Sequence, residues 1–214
     1  GGYADKVRVP EHQCVIIPEG VSFVEGAAST DAGITSYRAL FSIGQAKEGS
    51  KVGIIGIGGL GQFALQMALI KGCEVYATDV SPEARKLAEE LGAHKVYDTI
   101  LDMKEAECDI IVDFAGFGQT TSDALEAVKV QGTVVIVGMG KLESNINTYL
   151  MITKEIKLLG SNGGSVEDLQ EVYDIFATGK MTPNLITIPF EEVDKGIEKL
   201  KNHEVKGRLV AVFE

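Results

Sequence analysis

The spacing of glycines in one short stretch constrains this chain more than any other feature. A run rich in β-branched residues, KVGIIGI, leads into Gly56-Ile57-Gly58-Gly59-Leu60-Gly61, and LGQFALQMALIKG follows as a helix closed by Gly72. A G-x-G-x-x-G string alone is a weak signal, but between a strand and a helix each position has a mechanical reason. Gly56 allows the tight turn, Gly58 lets backbone approach a pyrophosphate, and Gly61 lets the helix pack close to the strand. The helix start, with Gly59 and Leu60 in the loop, would offer free N–H groups and the positive end of its dipole to phosphates. The alternative is a tight strand–helix turn without a ligand.

The segments that follow keep the same rhythm. CEVYATD reads as a strand. SPEARKLAEELG reads as a helix with Ser81 as N-cap, Pro82 at the first helical position and Gly92 at its end. CDIIVDFAG, a helix over 120–130, GTVVIVGMG and EIKLLGS continue the series. Strands apolar on both faces and separated by helices predict an α/β fold, a doubly wound parallel sheet of Rossmann type. The ends differ. Residues 1–30 read as short strands and turns, with VRVP and CVIIP each stopped by Pro and GVSF after a Glu-Gly turn. Residues 31–44 read as a helix with Ile34, Tyr37, Ala39, Leu40 and Ile43 on its apolar side. The tail holds an amphipathic helix VEDLQEVYDIFATG, then LITIPF, a helix EEVDKGIEKLKN and a strand GRLVAVFE. It either extends the doubly wound sheet or returns to the element begun in residues 1–30.

The second strand ends at Asp79, a little over twenty residues past the first glycine. An acidic residue there accepts hydrogen bonds from an adenosine ribose and repels a 2′-phosphate, which favours NAD over NADP. The competing role for Asp79 is to cap the next helix. Arg85 and Lys86 are within reach of a 2′-phosphate in principle, but their helical spacing reads as solvated surface charge. Ala115-Gly116 and Gly138 also follow strands, where small residues leave room for adenine, ribose and nicotinamide or simply make turns.

Charge narrows the partners. The 214 residues carry a net charge of −11, with no cluster of Lys and Arg that would track phosphates, so nucleic acid and anionic membrane are discounted. No apolar run reaches the roughly 18–20 residues of a membrane span. GGYADKVRVP has no secretory pattern and no initiator Met, as expected for a processed chain or a piece of a longer one. Cys14, Cys73 and Cys108 form no C-x-x-C pair and read as reduced, packed thiols of a cytoplasmic protein.

Taken in order, GGYA, ASTDAGITSYRAL, GIGGLG, the Asp-ended strand, IIVDFAG, VVIVG and the terminal GRLV resemble the zinc-containing alcohol dehydrogenases of the medium-chain dehydrogenase/reductase family. The resemblance covers essentially the whole chain. It implies that residues 1–30 end a first barrel-like catalytic segment, 31–164 form the NAD-binding domain and 165–214 return into the catalytic domain. Most of the catalytic domain, with its zinc-binding Cys and His, would then precede Gly1.

The resemblance also assigns roles. Thr35 would touch the nicotinamide, and Arg208 would meet the pyrophosphate, where a guanidinium forks onto phosphate oxygens. Asp31 stands where the family usually has a zinc-binding Cys. It would serve as a zinc ligand in a full-length enzyme, or else cap the helix from Ala32. Ala84 stands where the family often places a ribose-holding Lys. His12, His94 and His203 are too scattered to complete a zinc site, so zinc is expected to be absent from this chain alone. The implied activity is hydride transfer between a small alcohol or carbonyl compound and NAD, by a homodimer or larger assembly. The alternatives are a zinc-free quinone or enoyl reductase of the same superfamily, an S-adenosylmethionine methyltransferase and a non-catalytic NAD-binding module.

Overall fold

The computed structural model describes residues 2–202 and 204–213. Its centre is one parallel sheet made of β1 (Lys51–Ile55), β2 (Glu74–Thr78), β3 (Lys95–Tyr97), β4 (Ile110–Asp113), β5 (Thr133–Ile136) and β6 (Lys157–Gly160). The strands lie in the order β3-β2-β1-β4-β5-β6. The chain thus reverses its direction of winding between β1 and β4, which opens a crevice at the strands' carboxyl ends. Alternate side chains explain the two apolar faces. Val52, Ile54, Val75 and Val112 pack under α3 (Gly61–Ile70) and α4 (Pro82–Glu90). Ile55, Ile111 and Val134 pack instead with Met103, from a 3₁₀ turn at Leu101–Ala106, and Leu125 of α5 (Gln119–Ala127). Ser81 caps α4 and Pro82 opens it, as expected.

The amino-terminal stretch corrects the sequence reading. No strand forms among the described residues before Lys51; VRVP and CVIIP flank one 3₁₀ turn at Glu11–Gln13. GVSF is a helix start. The Ser22 side chain accepts from the Glu25 amide at 3.2 Å, while Glu25 accepts from the Ser22 amide at 2.7 Å. This reciprocal cap launches α1 (Phe23–Ala28), so β-branched character loses to a satisfied helix end. The helix read from residue 31 therefore begins at Phe23. It runs through a π-helical turn at Ser29–Gly33, α2 (Ile34–Tyr37) and a second π-helical turn at Arg38–Ile43.

After β5 come α6 (Thr148–Thr153), β6 and then α7 (Val166–Ala177). α7 packs Val172 and Phe176 against Ala32, Tyr37, Phe63 and Met67. Its buried Asp168 accepts from Arg38 at 2.9 Å and from Ser42, tying α7 to the helical run. Among the described residues, β7 (Leu185–Pro189) and β8 (Arg208–Val212) pair only with each other, in parallel, with α8 (Val193–Lys201) between them in sequence. The tail therefore does not extend the central sheet. Among the described residues, no helix is long and apolar enough to cross a membrane.

Candidate cofactor-binding site

The glycine loop sits at the crevice. Gly56 has φ +88°, a conformation that L side chains rarely adopt. A Cβ at Gly61 would collide with the Gly56 carbonyl oxygen, so only glycine lets α3 come this close to β1. Gly58 has open space above it, and a Cβ at Gly59 would meet Arg208 Nη1 at 3.5 Å. Leu60 is the N-cap of α3 and makes no side-chain cap bond. Among the described residues, the amides of Gly58, Gly59 and Leu60 donate to no backbone acceptor. Unspent N–H groups at a helix start, with a guanidinium over Gly59, are donors of the kind that can cradle phosphate oxygens. Burial strips water from the Arg208 guanidinium and pulls its pKa down from its usual value, and the Asp31 carboxylate pairs with it. Ser36 Oγ donates to the Leu60 carbonyl at 2.9 Å and fixes α2 against this loop, with Thr35 beside it and buried.

Asp79 closes the other side of the crevice. Its Oδ2 accepts from the Ile57 amide at 2.7 Å and its Oδ1 from the Ser81 amide at 2.8 Å. The helix cap is Ser81, so the capping alternative for Asp79 falls. Each carboxylate oxygen keeps a further lone pair for a ribose hydroxyl. A cleft of about 340 Å³ opens here, lined by Gly56, Asp79, Asp98, Ala115 and Asp123 among others. Three carboxylates thus line one cleft, and of these Asp98 is paired with Arg85. Ala84 is partly buried against the core and brings no charge. Arg85 is not a free surface charge: its Nη1 donates to the Asp79 carbonyl at 2.6 Å and its Nε lies 3.3 Å from Asp98. Lys86 is exposed and pairs with Glu90, at 3.6 Å.

Sequence reasoning missed Asp113. It is fully buried at the end of β4 and accepts from the amides of Ala115 and Gly116 at 3.0 and 2.8 Å. Thr120 and Thr121 hydroxyls donate to its other oxygen at 2.7 and 2.9 Å. This carboxylate shapes the turn that forms the cleft wall, and the one acid in the apolar run IIVD was the signal for it. Gly116 packs backbone to backbone on Gly138, so both glycines have a packing reason beyond leaving room for a ligand.

Asp31 and Arg208, given separate roles by the resemblance, are paired with each other. Asp31 lies within the helical run, whose cap is Ser22, so it does not cap a helix from Ala32. Among the described residues, no three His, Cys, Asp or Glu side chains converge as a metal site. His94 accepts from the Val75 amide at 3.1 Å and His12 is exposed, while His203 lies outside the described residues.

Comparison with known proteins agrees with this geometry. Residues 59–178 match the family described as zinc-binding dehydrogenase. An alcohol dehydrogenase of Geobacillus stearothermophilus is 33% identical over 98% of this chain and 64% of its own length, so the chain spans just under two thirds of that relative. The alcohol dehydrogenase of Aeropyrum pernix superposes with a TM-score of 0.89 at 31% identity, covering 99% of this chain and 65% of that one. An acetophenone reductase of Geotrichum candidum, solved in complex with NAD, superposes with a TM-score of 0.84 at 34% identity, over 91% of this chain and 57% of its own. With the matched segment running over more than half of its length, from Gly59 in the glycine loop onward, and its strand order that of a dinucleotide fold, this chain belongs to the zinc-binding dehydrogenase family.

Proposed function

We propose that this chain is the NAD-binding portion of a zinc-dependent alcohol dehydrogenase acting on a small alcohol or carbonyl substrate. One observation carries the reading: the amides of Gly58, Gly59 and Leu60 are unspent at the start of α3, Arg208 lies over Gly59, and the Asp79 carboxylate stands at the next strand end. NAD would place its pyrophosphate on Gly58, Gly59 and Leu60 under Arg208, and its adenosine ribose on Asp79. Its nicotinamide would lie toward Thr35. Bound there, the cofactor supplies a hydride acceptor, and the residues of the chain hold and orient it. Ala115, Gly116 and Gly138 would form the wall beside it. Residues 1–30, 31–164 and 165–214 would be, in order, the end of a catalytic segment, the cofactor domain and the return.

Zinc fits this chain's described residues poorly, since Asp31 is one carboxylate and is already engaged by Arg208. In a full-length enzyme Asp31 would supply one ligand to a site completed from elsewhere. The same pairing favours, as a second reading, a zinc-free reductase of the superfamily. A homodimer joined at the exposed edge of β6 belongs to the proposal, as does a cytoplasmic location, where Cys14, Cys73 and Cys108 stay free thiols.

Calorimetric titration with NADH and with S-adenosylmethionine tests the core of the reading. NADH should bind and S-adenosylmethionine should not; the reverse result defeats it. Metal analysis and an alcohol-dependent NADH assay test the rest. The chain alone should bring no stoichiometric zinc and show no turnover. A full equivalent of tight zinc or real turnover would show that the chain's own residues complete the site.

A further inference from the structure

Arg208 can serve a phosphate only if the returning segment is held at the right height above the glycine loop. The hold comes from two buried amides on α3. Gln66 Oε1 accepts from the Thr182 amide at 2.7 Å, and Gln62 Oε1 accepts from the Asn184 amide at 2.7 Å. Asn184 is then a hub. Its carbonyl accepts from the Arg208 amide at 3.0 Å, and its side chain donates to the Lys206 carbonyl at 2.7 Å. Gly207, at φ +114°, turns so tightly over Asn184 that a Cβ would strike the Asn184 carbonyl. An unbroken chain of bonds thus runs from the second residue of the phosphate helix, through Asn184, to the backbone of Arg208.

Gln62 makes this connection at a cost in stability. It is fully buried, and its Nε2 has no hydrogen-bond partner among the described residues. A buried, unsatisfied amide donor is unfavourable, and an apolar side chain of the same shape would fill the space without that penalty. What an apolar residue lacks is the acceptor for Asn184.

We propose that Gln62 is a positioning residue that sets Arg208 over the phosphate loop by gripping Asn184, and so tunes affinity for the dinucleotide pyrophosphate. The inference rests on the reading of the glycine loop as the NAD site. If Arg208 is misplaced, a charge-assisted contact is lost, so Gln62→Met should weaken NADH binding by about tenfold or more. A purely structural residue would weaken binding independently of Arg208, whereas a positioning residue acts through it.

The test is a double-mutant cycle read by NADH titration of the chain. Arg208→Ala should weaken binding, and adding Gln62→Met to Arg208→Ala should weaken it no further. Adenosine, which has no phosphate, should bind all variants alike. Additive losses, an unchanged NADH affinity in Gln62→Met or a parallel loss of adenosine binding would each overturn the proposal. Should Gln62→Met not fold, the exposed Asn184→Ala removes the bond to Lys206 and should show a smaller, equally non-additive loss; additivity there overturns the proposal as well. Failure of the unsubstituted chain to bind NADH would instead defeat the underlying reading of the site.

Discussion

At the scale of residues, Asp79 and Asp113 are carboxylates at the ends of β2 and β4 with opposite duties. Asp79 is half-buried and can still accept from a ligand, which is why we propose it as the residue that discriminates between cofactors. Placing a phosphate dianion against it, with Asp98 and Asp123 lining the same cleft, should leave NADPH at least about tenfold weaker than NADH. Asp79→Gly should bring the two affinities together, and equal affinities in the parent chain would remove this role. Asp113 is fully buried and spent on four donors. The two hydroxyls can turn elsewhere when it is removed, but the two amides cannot. Asp113→Ala should therefore lower stability by about 2–4 kcal/mol in urea unfolding. A loss below about 0.5 kcal/mol, the scale of an ordinary surface change, would mean that the turn holds without it. Asp79 was legible because its distance from the glycines has a mechanical meaning. Asp113 was not, because its value lies in backbone amides that come to it only when the turn has formed.

The elements show where local pattern suffices and where it fails. β1, β2, β4 and β5 were legible as short runs buried on both faces. β3 was missed because three residues, KVY, carry too little pattern. Residues 21–30 were misread because GVSF resembles a strand until the Ser22–Glu25 spacing is taken as a capping box. The tie between α7 and the amino-terminal helical run gives a pH prediction. Burial works against the charge on Asp168, but hydrogen bonds from Ser42, the Ser165 amide and Arg38 outweigh it and hold the pKa below its usual value. A lowered folded pKa contributes stability that is complete above the unfolded value of about 3.9 and is lost as pH falls through the folded one. Asp168→Asn should flatten the acid-side loss of stability below about pH 4. An unchanged slope would show that Asp168 does not carry it. β6 has an open outer edge, with Leu159 partly exposed and no Pro to blunt it. Sedimentation should find a dimer at micromolar concentration, and Leu159→Lys should shift it toward monomer. A clean monomer of the parent chain would count against edge pairing.

Across the whole molecule, the site is assembled from parts far apart in sequence. Asp31 lies on the amino-terminal helical run, the glycine loop in the central sheet, and Arg208 at the start of the last strand. The sequence pointed to these parts singly. It did not show that Arg208 stands over Gly59 and pairs with Asp31, because those contacts depend on how α7 and the β7–β8 unit dock. The central claim is that a dinucleotide lies across the loop between β1 and α3, reaching from Arg208 to Asp79. Backbone amide NMR during titration with NADH tests it most directly. The account predicts that the largest shifts fall on Gly58, Gly59 and Leu60, with Ile57 and Ser81 moving because their amides bond Asp79. Shifts confined to other faces of the protein, or none at saturating NADH, would contradict it.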